Sequence, residues 1–153
     1  MSDAYRAFIA LSLPRQVIAY LSKVQHCLAA EGIRARWVRP EGMHLTLKFI
    51  GRLAPEKTSA VDTVLDRAAA HYSPLQLTVQ GLGGFPNRRR PRVLWVGISG
   101  ETQQLERLQQ DIDSGLAALG WPGEKRSFKG HLTLARARGR RPFESGIEPI
   151  LAQ

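Results

Sequence analysis

His44-Leu45-Thr46-Leu47 and, 87 residues later, His131-Leu132-Thr133-Leu134 are the same tetrapeptide. Side chains alternate across a β-strand. In the first copy His44, Thr46 and Lys48 therefore share one face, while Met43, Leu45, Leu47 and Phe49 share the other. In the second, Lys129, His131 and Thr133 oppose Phe128, Leu132 and Leu134. Each strand thus has an apolar side suited to packing against helices and a side offering imidazole, hydroxyl and ammonium groups. A repeat of this kind implies two related halves. A two-lobed molecule that brings the polar faces together would gather two histidines, two threonines and two lysines, the groups wanted around a phosphate.

On the N-terminal side of the first copy, residues 5–11 read as a strand, and Pro14 opens a helix carrying Val17, Leu21, Val24 and Leu28 that ends near Gly32. Strands are expected at 36–39 and 44–50, separated by the turn-forming Pro40-Glu41-Gly42. A second helix starts near Pro55 and turns Val61, Val64, Leu65 and Ala68 inward. Strands at 75–80 and 93–98 follow, joined by an arginine-rich, glycine- and proline-containing loop over 81–92. The third helix has the clearest period, Leu105, Leu108, Ile112, Leu116 and Leu119, with Gly120 and Pro122 to stop it. A last strand covers 128–134, and the Arg-, Gly- and Pro-rich tail from 136 has no assigned element. Strands and helices interleave without a regular βαβ rhythm, and adjacent strands can form hairpins, so the class is α+β.

The chain has 153 residues, enough for one compact domain or two small lobes. Lys and Arg outnumber Asp and Glu by 22 to 13, a net charge of +9 that favours polyanionic partners, nucleic acid first. The single cysteine, Cys27, permits no internal disulfide and reads as a structural residue in a cytoplasmic protein. The apolar run over 7–13 is interrupted by Ser12 and closed by Pro14, and reads as a strand rather than a signal peptide. No run approaches the roughly 18 apolar residues of a membrane span.

A lone histidine on a strand is more often an ordinary surface or core residue. Two copies of the tetrapeptide in matching strand contexts, with His26 and His71 left in helices, point instead to an acid–base pair. Imidazole titrates near neutrality, so one ring can accept a proton while another donates, and threonine hydroxyls can donate to phosphate oxygens as charge builds. Neither copy is accompanied by a His-Glu-x-x-His, paired cysteines or a carboxylate cluster, so no metal or other cofactor is expected. A Gly-x-Ser-x-Gly elbow is absent, and Gly81-Leu82-Gly83-Gly84 lacks the Lys-Ser/Thr of a P-loop.

These motifs resemble those of the 2H phosphoesterase superfamily, most closely the bacterial RNA 2′,3′-cyclic phosphodiesterases once named 2′-5′ RNA ligases. The resemblance extends to Arg36-Trp37-Val38-Arg39-Pro40, Gly84-Phe85-Pro86, Pro91-Arg92-Val93-Leu94-Trp95-Val96-Gly97 and Leu134-Ala135-Arg136. It departs at Gly130, where members often have proline, and in the short stretch after the second motif. It implies a single bilobal domain over 1–153, with two pseudo-symmetric lobes of antiparallel sheet, outer helices and a central cleft, one motif (44–47, 131–134) per lobe. It also implies that His44 is the proton donor, His131 the acceptor, and Thr46 and Thr133 phosphate ligands. The implied reaction is metal-independent hydrolysis of RNA 2′,3′-cyclic phosphate ends to 2′-phosphates, with weak reverse 2′-5′ ligation. Lys48, Lys129, Arg92 and Arg136 are expected to contact the substrate as cations, with Phe85 and Trp37 available for stacking. The partner is then an RNA or oligonucleotide end bound by a monomer. Two other readings use the same residues: an RNA-end-binding module without turnover, which would draw on the basic runs Arg88-Arg89-Arg90 and 136–141, and a phosphodiesterase for a small cyclic nucleotide or ADP-ribose cyclic phosphate.

Overall fold

The computed structural model describes residues 3–139 and Phe143. In chain order its elements are β1 (Tyr5–Ser12), α1 (Arg15–Ala30), β2 (Arg36–Trp37), β3 (His44–Leu53), α2 (Thr58–Ala69), β4 (Leu77–Phe85), β5 (Val93–Gly100), α3 (Thr102–Ala117) and β6 (His131–Arg136). The class is α+β, and the sheets are open. The described residues fall into two compact units. The first comprises residues 3–11, Thr46–Leu77 and Gly100–Gly130; the second comprises Ser12–Leu45, Thr78–Ser99 and residues 131–139 with Phe143.

In the first unit β1 pairs with β3, and α2 packs against α3. Leu105, Leu108, Ile112 and Leu116 recur at intervals of three and four, so they form one apolar stripe of α3, and all are buried. Gly115 sits against Val64 so closely that a Cβ there would lie 2.6 Å from Val64 Cγ1, which explains a glycine inside a helix. Leu119, expected on the same stripe, lies beyond the helix and is 38% exposed. At that end Gly120 takes φ +109°, with Gly120 N donating to Ala117 O (3.1 Å) and Trp121 N to Leu116 O (3.0 Å). This is the 5→2 and 6→1 pair of a Schellman stop. The second helix, expected from Pro55, begins at Thr58, because residues Pro55–Lys57 form a 3-10 turn first.

In the second unit a four-stranded sheet has the order β2-β6-β5-β4, with β6 antiparallel to both β2 and β5. Leu94, Val96, Leu132, Leu134 and Ala135 are buried in this unit, together with Leu21 and Leu28 of α1. Two expected boundaries move. Residues 81–85, read as loop, continue β4, because glycines there do structural work: Gly83 leaves room for the Trp95 indole. The final strand starts at His131 rather than at residue 128, so Phe128 and Lys129 precede it.

Candidate active site

Leu94 pairs with Ala135 and Trp95 with Thr133, so β6 holds one extra residue, Leu134, opposite that step of β5. This β-bulge shifts the alternation of β6. His131 lies opposite Gly97, Thr133 opposite Trp95 and Arg136 opposite Val93, and positions 93, 95 and 97 share one face of β5. Arg136 therefore joins His131 and Thr133 on a single face, which unbroken alternation from His131 would not allow. Buried Leu94, Val96, Leu132 and Ala135 occupy the opposite face.

Aromatic rings surround His131 on its own side. Phe85, at the end of β4, meets the imidazole edge to face, with centroids 4.8 Å apart and planes at 88°. Trp95 lies 6.3 Å from the same ring and 5.3 Å from Phe85. Contacts of this kind fix a ring's plane through packing. The indole reaches its position by lying over Gly83, where any Cβ would overlap it. Its Nε1 is buried with no hydrogen-bond partner among the described residues. Leaving such a donor unpaired costs about 1–3 kcal/mol.

The frame behind the motif is hydrogen-bonded. Gln25 of α1, 8% exposed, donates from Nε2 to Val38 O (2.8 Å) and to Leu134 O (2.9 Å), while Val38 N also donates to Leu134 O (2.9 Å). One helix residue thus ties the chain after β2 to the bulged residue of β6. Arg92 N donates to Phe85 O (2.6 Å) and Ala137 N to Arg92 O (2.8 Å), joining the ends of β4, β5 and β6. Arg36 and Arg136 are direct cross-strand partners, both exposed. Like charges placed opposite one another destabilise a sheet, and the pairing concentrates positive charge that an anion would relieve.

His44 opens β3 one residue after the 3-10 turn Pro40–Gly42 and, like His131, is half-buried and part of the second unit. Thr46 follows on the same side of β3, between buried Leu45 and Leu47. The unit boundary falls inside this first tetrapeptide, after Leu45. Among the described residues no group of three or more His, Cys, Asp and Glu side chains is gathered to hold a metal ion.

Lys48 and Trp37, expected to contact the substrate, lie elsewhere. Lys48 is buried, and its Nζ donates to Asp113 Oδ1 (2.6 Å), Pro122 O (2.8 Å) and Glu124 Oε1 (3.4 Å). Its charge is engaged in the first unit's interior, where the buried side of β3 changes from Leu45 and Leu47 to Lys48 and Ile50. Burial pushes the Asp113 carboxyl up, but the Lys48 hydrogen bond, the Glu124 amide and the Lys48 charge outweigh it and hold the carboxyl below its ordinary value. Trp37 pairs with Ala135 and so points to the side of the sheet opposite His131. Lys129 is exposed and precedes β6, outside the alternation that would align it with His131. Arg88, Arg89 and Arg90 are exposed, with Asn87 Oδ1 accepting from the amides of Arg89 and Arg90. Arg140 and Arg141 lie outside the described residues.

The sequence alone does not mark Trp95, Arg36 or Gln25 as site or frame residues. Gln25 had a visible signal, since it falls on the inner face of α1 between Leu21 and Leu28. A polar residue there needs partners.

The sequence matches the family described as "LigT like Phosphoesterase" over residues 11–95. The RNA 2′,3′-cyclic phosphodiesterase of Methanothermobacter thermautotrophicus is 32% identical over 145 residues, covering 95% of this chain and 78% of that protein. The chain belongs to the LigT-like phosphoesterase family. Crystal structures agree with this family. A protein of Thermus thermophilus superposes with a TM-score of 0.77 at 30% identity, over 92% of this chain and 81% of that one. E. coli LigT in complex with 3′-AMP gives 0.70 at 25% identity, over 93% and 80%. The family match spans the first tetrapeptide, Phe85 and Trp95, and β5 carries the second tetrapeptide as its sheet neighbour.

Proposed function

We propose that this protein is an RNA 2′,3′-cyclic phosphodiesterase, a single bilobal enzyme in which His44 and His131 are the acid–base pair. The observation that carries the reading is the second tetrapeptide's setting: His131, Thr133 and Arg136 aligned on one face by a bulge, with the imidazole packed by Phe85 and Trp95. Curated relatives named for this activity support the substrate class. His131 takes a proton from water, whose oxygen attacks the cyclic phosphorus in line with the 3′ oxygen. The P–O3′ bond breaks, and His44 gives its proton to that oxygen, leaving a 2′-phosphate. Thr46 and Thr133 donate to the non-bridging oxygens, and Arg136 with Arg92 balances the charge. Phe85 offers its ring to the terminal base. With a 5′-hydroxyl attacking the cyclic phosphorus in place of water, the same groups form a 2′-5′ linkage, and the reverse of that step cleaves it. No metal is used, and the protein works as a cytoplasmic monomer.

The test is hydrolysis of an oligonucleotide with a 2′,3′-cyclic end in excess EDTA, with products resolved as 2′ or 3′ phosphates. Retained activity giving 2′-phosphate supports the proposal; full activity in His44→Ala or His131→Ala sinks it. Tight, salt-sensitive binding of the same RNA without turnover would support the end-binding alternative.

A further inference from the structure

The first unit contains a cavity of about 290 Å³ lined by Ala4, Arg52, Ala54, Lys57, Leu119, Gly120 and Trp121. None of these belongs to the tetrapeptides. Arg52 follows Thr46 by six positions on β3, roughly 20 Å of extended strand, so the cavity lies at the far end of that strand from the motif. Among the described residues its lining has two cations and no carboxylate, beside an indole and small apolar groups. That is the chemistry of a phosphorylated nucleoside, with a ring for the base and cations for the phosphate.

Trp121 is held on both sides. The Schellman bonds from Gly120 N and Trp121 N fix the approach to it. The residues after it are clasped by Lys48, which binds Pro122 O and Asp113, while Glu124 N donates to Asp113 Oδ2 (2.9 Å). The buried ion pair of Lys48 therefore sets the ring in place. Lys57 Nζ stands 5.7 Å from the centroid of the same ring, a cation–π contact that holds the ammonium at the cavity wall.

We propose that this cavity is a second nucleotide site, which grips one nucleotide of a single-stranded RNA whose end is processed at the histidines. The inference rests on the RNA reading given above. It predicts a preference for oligonucleotides over cyclic mononucleotides that belongs to Arg52, Lys57 and Trp121.

The experiment compares wild type with Arg52→Gln/Lys57→Gln and with Trp121→Ala, on cyclic-ended oligouridylate of about eight nucleotides and on cyclic UMP. The expected result is a rise of about tenfold in KM for the oligomer, with cyclic UMP kinetics unchanged. An unchanged oligomer KM, or a parallel change on both substrates, overturns the site. Anisotropy of a labelled oligouridylate with an ordinary 3′-hydroxyl separates the two hypotheses. If wild type hydrolyses neither substrate, the catalytic reading falls, while weaker binding by the double variant still supports the site and equal binding overturns it. Quenching of tryptophan fluorescence by 5′-AMP that is lost in Trp121→Phe, with no variant effect on the oligomer, would make this a free-nucleotide site and overturn the RNA assignment. Melting temperatures identify any variant that fails to fold, and Lys57→Gln alone then replaces the double variant.

Discussion

Trp95 can lie across β4 only because residue 83 has no side chain, and that absence reaches His131 in two steps: the indole packs Phe85, and both rings flank the imidazole. Gly83→Ala is expected to displace the indole and lower kcat/KM for a cyclic phosphate at least tenfold, because misplacing a catalytic group by about 1 Å can cost about a hundredfold. His44→Ala and His131→Ala should each reduce turnover by about 10²-fold or more, within the range set by general acid–base catalysis. If one ring must donate while the other accepts, kcat/KM against pH is bell-shaped, and a flat profile between about pH 5 and 9 would contradict the pairing. Arg136→Ala should raise KM more than it lowers kcat, since its proposed role is charge balance. Steady-state kinetics on cyclic UMP reads each of these.

Two polar residues decide how elements meet. Gln25 fastens α1 to the carbonyls of Val38 and Leu134, and Gln25→Leu leaves the Val38 carbonyl without that donor. The expected loss of stability is about 1–3 kcal/mol, read by denaturant unfolding. Within the first unit Lys48 joins β3 to α3 through Asp113. Lys48→Met strands the carboxylate in a largely buried place, with an expected cost of about 3 kcal/mol. Because the folded-state value of Asp113 lies below its ordinary 3.8, its contribution to stability is full above that value and is lost as pH falls through the lower, folded one. Wild type should therefore lose stability in acid more steeply than Asp113→Asn, as thermal melts across about pH 2–6 would register. Gln109, which donates from Nε2 to Leu47 O (3.2 Å), plays a similar part between α3 and β3.

At the scale of the molecule the positive charge of +9 predicts electrostatic capture of RNA. KM for a cyclic-ended oligonucleotide should rise steeply between about 50 and 300 mM salt, while KM for a cyclic mononucleotide changes little, since fewer phosphates release fewer counterions. Equal salt slopes for the two substrates would favour an enzyme of small cyclic phosphates. Among the described residues no helix is long and apolar enough to cross a membrane.

The α+β class, the three helices and the two tetrapeptides were legible in the sequence because they depend on local periodicity, 3.6 for α3 and 2 for the motif strands. Leu105, Leu108, Ile112 and Leu116 follow from spacing alone, and so does the stop at Gly120. What local pattern cannot encode is pairing between distant strands. The bulge at Leu134 exists only because β6 lies beside β5, and it carries Arg136 to the side of His131. The register of β2 against β6 likewise sends Trp37 to the other side, and the approach of α3 to β3 turns Lys48 from an expected phosphate ligand into a buried ion pair. The candidate acid–base groups are visible in the tetrapeptides themselves. Which neighbours share their faces was decided by tertiary contacts, because one inserted residue or one nearby carboxylate reverses what alternation predicts.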